Sequence, residues 1–189
     1  NLTEDIVISR IHPGNLFFFG TGSANSQIGH NDRVKIIIDG GNFKQAGTLI
    51  RTEGIRTVSL YNAVLRNNIN TGNGGAVVVG YNSRFDIFNS VIENCSAKQG
   101  GAVYLFGGQQ GYYHGSFHFN GVTFRMNRAS TDGGAICAAG ELGYSEMFSA
   151  TGSVFENNVA GRYGGGIYSV KYEELCSLVF IGNQAQYGG

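Results

Sequence analysis

Short apolar stretches separated by polar turns run along the whole chain. They include IVIS, LFFF, VKIII, TVSL and AVVV, and Gly, Asn and Thr interrupt the chain every few positions. These interruptions disfavour helices, and no long apolar stripe recurs with a period of about 3.6 residues. The stretches are also too short to cross a membrane as helices. The pattern predicts an all-β chain built from many short strands.

A glycine motif recurs four times in the second part of the chain. Its copies are GGAVVV from Gly74, GGAVYL from Gly100, GGAICA from Gly133 and GGGIYS from Gly164. An element ending in asparagine precedes each copy at a constant distance, whereas the spacing between copies varies. One corner of the repeat is therefore geometrically fixed while another loop accepts insertions, which is typical of a solenoid.

The asparagines form one column when the repeats are aligned. The segments LRNN, VIEN, FRMN, FENN and FIGN end at Asn68, Asn94, Asn127, Asn158 and Asn183. Stacked at a strand spacing of about 4.8 Å, identical amides can bond to the amide above and the amide below. We therefore predict a structural asparagine ladder at a turn of the solenoid.

Other columns predict which side chains face the core. A β-branched column is expected to point inward, and its neighbour one residue on is expected to point outward. The inward column is Val77, Val103, Ile136 and Ile167, and the outward one is Val78, Tyr104, Cys137 and Tyr168. A column of large apolar residues is expected to stack inside the coil: Leu65, Val91, Phe124, Phe155 and Phe180.

These features predict a right-handed parallel β-helix of about six or seven coils. We interpret residues 1–189 as a single segment, with divergent coils in 1–64 and the repeats in 65–189. We expect this segment to be part of a longer chain, because open coil ends expose unpaired strand edges.

The combination of GGA[I/V] with FxxN resembles the repeat of the chlamydial polymorphic outer-membrane proteins. Their passenger domains are autotransporter β-helices that act as surface adhesins. The stretch from Ile36 to Gly41 also resembles the early coils of pectate-lyase-like β-helices. The first resemblance implies a secreted, non-catalytic adhesin or structural module located outside the cell or at its surface. Its partners would be other protein chains or surface glycans, and end-to-end self-association is a further expectation.

Composition excludes some functions. The chain has 31 Gly, but its 12% aromatic content favours a packed core over a disordered chain. Because 13 Lys and Arg balance 13 Asp and Glu, the chain has no net positive charge that would attract nucleic acid, and we expect no nucleic-acid partner. We also expect no membrane insertion by this segment.

A catalytic site is not indicated by the acidic residues. The Asp residues fall in different coils and form no paired motif, so we predict no enzyme activity. His114 and His118 would lie about 13 Å apart along one strand, too far to share a metal, and we predict no cofactor.

The cysteines lack zinc-ligand spacing, and Cys137 is expected to be accessible. A pectate-lyase-like polysaccharide-active enzyme and a carbohydrate-binding module remain alternatives.

Tyrosines provide the candidate contact surface. Tyr112 and Tyr113 lie in the insertion between Gly107 and Gly115, whose Gly, Gln and Tyr residues are typical of recognition loops. Tyr104 and Tyr168 belong to the outward column. The sequons at Asn1 and Asn94 are candidate glycosylation sites in a secreted eukaryotic protein.

Overall fold

The structure is a computed structural model that describes residues 6–10, 14–20, 22–28, 35–43, 46–106, 115–138, 147–170 and 173–189. The described residues form short strands and no helix. In chain order the strands are β1 (Ile6–Ser9), β2 (Phe17–Phe19), β3 (Gly22–Ile28), β4 (Ile36–Asp39), β5 (Ile50–Thr52), β6 (Ile55–Tyr61), β7 (Ala63–Arg66), β8 (Val77–Val79), β9 (Arg84–Phe88), β10 (Val91–Glu93), β11 (Ser96–Ala97), β12 (Val103–Leu105), β13 (Ser116–Asn120), β14 (Thr123–Arg125), β15 (Arg128–Ala129), β16 (Ile136–Ala138), β17 (Met147–Thr151), β18 (Val154–Glu156), β19 (Val159–Ala160), β20 (Ile167–Ser169), β21 (Glu173–Cys176) and β22 (Val179–Ile181).

The strands stack into parallel sheets that form the faces of a β-solenoid. A seven-stranded sheet has the order β1-β4-β7-β10-β14-β18-β22, and a three-stranded sheet has the order β11-β15-β19. Two six-stranded sheets complete the coil, one from β2 to β20 and one from β3 to β21. Every named strand pair is parallel, so the predicted parallel β-helix is confirmed as the fold class.

The coils that begin at β10, β14 and β18 visit all the faces in the same order. The chain leaves the seven-stranded sheet at the asparagine corner, crosses the three-stranded sheet and turns again at the Gly-Gly corner. It then follows the β2–β20 sheet and the β3–β21 sheet before it returns. Strand β4 pairs with β7, and β5 pairs with β8, so the sheets continue across the boundary that we drew at residue 64.

The core is a continuous apolar column inside the coils. Phe124 and Phe155 are fully buried and stack with ring centroids 4.8 Å apart. Phe155 also stacks at 4.9 Å on Phe180, which was expected inside the coil but is 49% exposed. Aliphatic residues of the predicted inward column, such as Val77 and Val103, are fully buried beside them. Stacked rings of this kind contribute about 0.5–1.5 kcal/mol per pair beyond the area that they bury.

One coil differs from the predicted alignment by a single residue. Val91 pairs with Val64, and Ile92 pairs with both Leu65 and Phe124. Ile92 is fully buried whereas Val91 is partly exposed, so our assignment of Val91 to the core column was wrong. Val91 and Ile92 are both apolar, so the sequence pattern allows either of them to face the core. The strand pairing shows that Ile92 is the residue in the core column.

The candidate functional site

The asparagine corner is held by side-chain amides that bridge successive coils. Asn127 and Asn158 are fully buried. The backbone N–H of Asn127 donates to Oδ1 of Asn158 at 3.0 Å, and the backbone N–H of Asn158 donates to Oδ1 of Asn183 at 3.0 Å. Each amide nitrogen also donates to a backbone carbonyl, as from Asn158 to Phe124 at 2.9 Å. These residues are structural, because their polar atoms are used within the corner.

Asn68 ends the ladder with a different orientation. Its amide nitrogen donates to the carbonyls of Gly47 and Gly75, at 2.9 and 2.5 Å. Its Oδ1 is buried and has no partner among the described residues. In the preceding coil the N–H of Gly41 donates to the carboxylate of Asp39 instead. This local contact explains why the ladder does not extend to that coil.

Cys95, and not Asn94, occupies the ladder position in its coil. The backbone N–H of Cys95 donates to Oδ1 of Asn127 at 3.1 Å, and its Sγ receives the backbone N–H of Asn68. The thiol lies 1% exposed, and burial raises the pKa of Cys95 to about 12. Our placement of Asn94 in the buried ladder was therefore wrong.

Asn94 lies one residue earlier, on the outside of the corner. It is exposed, has a φ of 50°, and its amide nitrogen donates to Oδ1 of Asn67 at 2.8 Å. Asn67 and Asn157 occupy the same left-handed position, with φ of 54° each. Asparagine tolerates this backbone conformation better than most residues. The equivalent residue of the intervening coil is Met126, with φ of 53°.

Outward charges of the seven-stranded sheet alternate in sign from strand to strand. Asp39 pairs in register with Arg66, which pairs with Glu93, which pairs with Arg125, which pairs with Glu156. Two contacts join this row, Arg66 to Asp39 at 2.7 Å and Arg125 to Glu93 at 2.5 Å. The row gives acidic residues in alternate coils a coil-stacking role that their scattered positions in the sequence did not reveal.

The predicted outward column is largely covered. Tyr104 is only 8% exposed and Cys137 is fully buried, so the expectation that both are accessible was wrong. Phe106 packs edge-on against Tyr104, with ring centroids 5.1 Å apart, and Tyr81 packs on Phe106 at 5.4 Å. The short Cys137 side chain lies between Tyr104 and Tyr168 of the adjacent strands. Strand alternation predicts direction, but side chains of neighbouring turns cover this face.

Tyr168 belongs to a different aromatic group. It stacks on Tyr163 with centroids 5.6 Å apart, and Tyr163 contacts Tyr187 at 5.3 Å. Tyr163 is 37% exposed and Tyr187 55%. The guanidinium of Arg162 lies 4.9 Å from the Tyr163 ring centroid and also binds Asp132. The exposed tyrosines near Tyr168 were not singled out from the sequence.

A polar row on the β3–β21 sheet was also missed. Asp86, His118 and Ser149 pair in register on three adjacent strands. Nδ1 of His118 lies 2.5 Å from Oγ of Ser149. Partial burial, together with nearby Arg84, lowers the pKa of His118. The carboxylate of Asp86 is engaged by Arg84 at 2.8 Å.

Two cavities adjoin each other on the outer side of the three-stranded sheet. The first encloses about 420 Å³ and the second about 710 Å³, and Ser96, Arg128 and Val159 line both. We call this combined surface the polar groove. Its other polar side chains include Asn94 and Asn157 on one side and Lys98 and Ser130 on the other.

Several predictions lie outside the described residues. They concern Tyr112, Tyr113, His114 and the sequon asparagine Asn1. Within the described ranges, no group of three or more His, Cys, Asp and Glu side chains is arranged to hold a metal ion. The same ranges contain no helix long and apolar enough to span a membrane.

The parallel solenoid with amide-bonded corners defines the class of protein. Comparison with known families then identifies the repeat: the Chlamydia polymorphic membrane protein repeat matches residues 152–170. This match and the solenoid confirm the resemblance that the GGA[I/V] and FxxN motifs indicated. Neither the curated proteins nor the solved structures contain a significant match to the chain.

Proposed function

We propose that this segment is a non-catalytic β-helical module of an extracellular or cell-surface protein, with an adhesive or structural role. The observation that carries the proposal is the repeat match at residues 152–170, which lies within the solenoid. The polymorphic membrane protein repeat suggests an outer-membrane or surface location, and its combination with a β-solenoid suggests a surface-associated structural or adhesin-type protein.

The matched segment supports this proposal through what its residues do. Phe155 stacks in the core, Asn158 bridges the corner, and Gly164 turns with a φ of 61°. These residues build and stack a coil, so they leave the outward faces free to carry binding residues. A solenoid presents such faces as an extended surface.

The enzymatic alternative requires carboxylates that are free to act on a substrate. Asp39 and Glu93 lie two strands apart, about 9.6 Å at the usual strand spacing, with Arg66 between them. Arg66 and Arg125 engage these carboxylates in ion pairs. This pairing favours a stacking role for the row over a catalytic role.

Surface display is tested by labelling cells that produce the native protein with an antibody raised against residues 1–189. We expect labelling of intact cells and its loss after brief protease treatment of those cells. An antibody against an internal protein, which labels permeabilised cells alone, is the control. Labelling by the first antibody that also requires permeabilisation would contradict the proposal.

A further inference from the structure

We infer that the polar groove binds a linear acidic polysaccharide, with Lys98 and Arg128 contacting its anionic groups. This inference names a ligand class for the proposed surface function and rests on that function only for its biological setting. Binding in solution does not depend on where the protein is located, so the two proposals can fail separately.

The state of its two cations favours an anionic ligand for the polar groove. Lys98 and Arg128 are both exposed, and neither forms a side-chain hydrogen bond or ion pair with any other described residue. Other arginines of the described ranges have partners within the protein. Buried Arg10 donates to the backbone carbonyls of Gly47 and Thr48. Five others are paired with carboxylates: Arg51 with Glu53, Arg66 with Asp39, Arg84 with Asp86, Arg125 with Glu93 and Arg162 with Asp132. The groove therefore carries positive charge that the protein does not itself neutralise.

The composition of the groove walls favours a ligand that carries hydroxyl groups as well as negative charge. Among the described residues that line the two cavities there is no Asp or Glu. The amides of Asn94 and Asn157 and the hydroxyls of Ser96 and Ser130 line it instead. Amides and hydroxyls both donate and accept hydrogen bonds, which matches the hydroxyl groups of sugars. Carboxylate or sulfate groups would provide the complementary charge.

The direction of the groove favours a linear ligand. The first cavity is lined in succession by Asn42, Ile69, Asn94, Met126 and Asn157, which belong to successive coils. Four strand spacings correspond to about 19 Å, so the groove runs along the solenoid axis and across the strands. An elongated surface of this kind suits a linear polymer. Arg128 pairs with Ser96, two residues before Lys98. One strand spacing and a rise of two residues place the two cations about 8 Å apart at the backbone.

Other linear polymers fit this surface less well. An extended peptide would gain affinity by adding a strand to a sheet edge, but β15 at the groove floor is already paired on both sides by β11 and β19. Single-stranded nucleic acid binds through bases that stack on aromatic rings, and no aromatic residue is among the described lining residues.

The test measures binding of a heparin-derived octasaccharide to residues 1–189 by titration calorimetry. The variant carries Lys98→Gln and Arg128→Gln, and the control for a charge change elsewhere carries Arg51→Gln, which removes a single positive charge on the β2–β20 sheet. We expect wild type and the Arg51 variant to bind alike and the double variant to bind about tenfold more weakly. The affinity of the double variant should also depend less steeply on salt concentration than that of wild type. Circular dichroism and thermal unfolding establish that all three proteins are folded.

Three results would overturn the inference. One is the absence of binding by folded wild type to this octasaccharide, to chondroitin sulfate and to a polyuronate. Another is equal binding by wild type and the double variant. The third is equally tight binding of a single-stranded oligonucleotide of the same charge with the same sensitivity to the two substitutions, which would show a response to charge alone.

Discussion

The backbone N–H of Cys95 donates a hydrogen bond to Oδ1 of Asn127, 3.1 Å away in the next coil. In the following coil the same relationship joins the N–H of Asn127 to Oδ1 of Asn158. Cys95 thus occupies an asparagine position, and its sulfur takes the place of an amide opposite the N–H of Asn68. The corner tolerates this exchange because Cys95 still supplies its own N–H and a small buried side chain.

Replacing Cys95→Asn should extend the ladder by one rung and stabilise the fold by about 1 kcal/mol. The new amide could accept from the Asn68 N–H and donate to Asn127, and each net hydrogen bond contributes about 0.5–1.5 kcal/mol. Urea unfolding measures the change. Cys95→Ala removes the sulfur without adding an amide and should be less stable than wild type. An asparagine variant less stable than the alanine variant would contradict the assigned geometry.

Replacing Asn158→Ala should destabilise the protein by about 3 kcal/mol, because it removes the acceptor of Asn127 and leaves buried groups without partners. The matched control is Asn157→Gly, one residue earlier on the exposed side of the corner, where φ is 54°. That control should stay within about 0.5 kcal/mol of wild type in the same unfolding experiment. An equal loss of unfolding free energy in both variants would show that the ladder asparagine stabilises the fold no more than its exposed neighbour does.

Met126 occupies a backbone conformation that suits asparagine better. Its side chain is 53% exposed and its φ is 53°. The left-handed conformation costs most L-residues about 1–2 kcal/mol, and asparagine less. Met126→Asn should therefore raise the free energy of unfolding by about 0.5–1 kcal/mol. Met126→Val, which is β-branched, should lower it. The reverse order in thermal unfolding would contradict this explanation.

Thiol reactivity should separate the cysteines. Cys95 and Cys137 are buried and Cys176 is exposed. Because burial raises the pKa of Cys95 to about 12, its thiolate is scarce at neutral pH. Ellman's reagent should modify one thiol in the folded protein and three after denaturation. The variant Cys176→Ser should show no fast reaction. Rapid modification of this variant while it remains folded would contradict the burial.

Acid should weaken one contact at the Gly-Gly corner. Asp132 is fully buried, Arg162 binds it at 2.8 Å, and this hydrogen bonding lowers the pKa of Asp132. A lowered pKa in the folded state stabilises the protein above the unfolded value of about 3.9. That contribution is lost as the pH falls through the folded pKa. Asp132→Asn should therefore be less stable at pH 7, and its stability should fall less steeply below pH 4. Parallel stability profiles for the two proteins would exclude this role.

The sequence predicted the repeat because motifs at constant spacing report a constrained corner. It did not predict the register of Cys95, because this coil has one residue fewer between the ladder position and its glycine. Asn94 has the residue type and the distance to the glycine that the other copies share, so the sequence alignment placed Asn94 at the ladder position instead. The charge row contained the missing signal: Glu93 aligns with Arg66 and Arg125 only in the correct register. Alignment by charge alternation would also have placed Ile92 in the core.

The groove could not be read from the sequence, since Lys98 and Arg128 are distant in the chain and adjacent only through coil stacking. The burial of Tyr104 was hidden for the same reason. Alternation along a strand predicts which side a residue faces, whereas Phe106 and its contacts determine whether that side is open.

The most direct test of the surface role is adhesion of beads coated with residues 1–189 to cultured cells, compared with beads coated with an unrelated β-helix. We expect greater adhesion of the first beads, reduced by the Lys98 and Arg128 substitutions and unchanged by Arg51→Gln. Adhesion no greater than that of the unrelated protein, with the coated chain folded, would contradict an adhesive function.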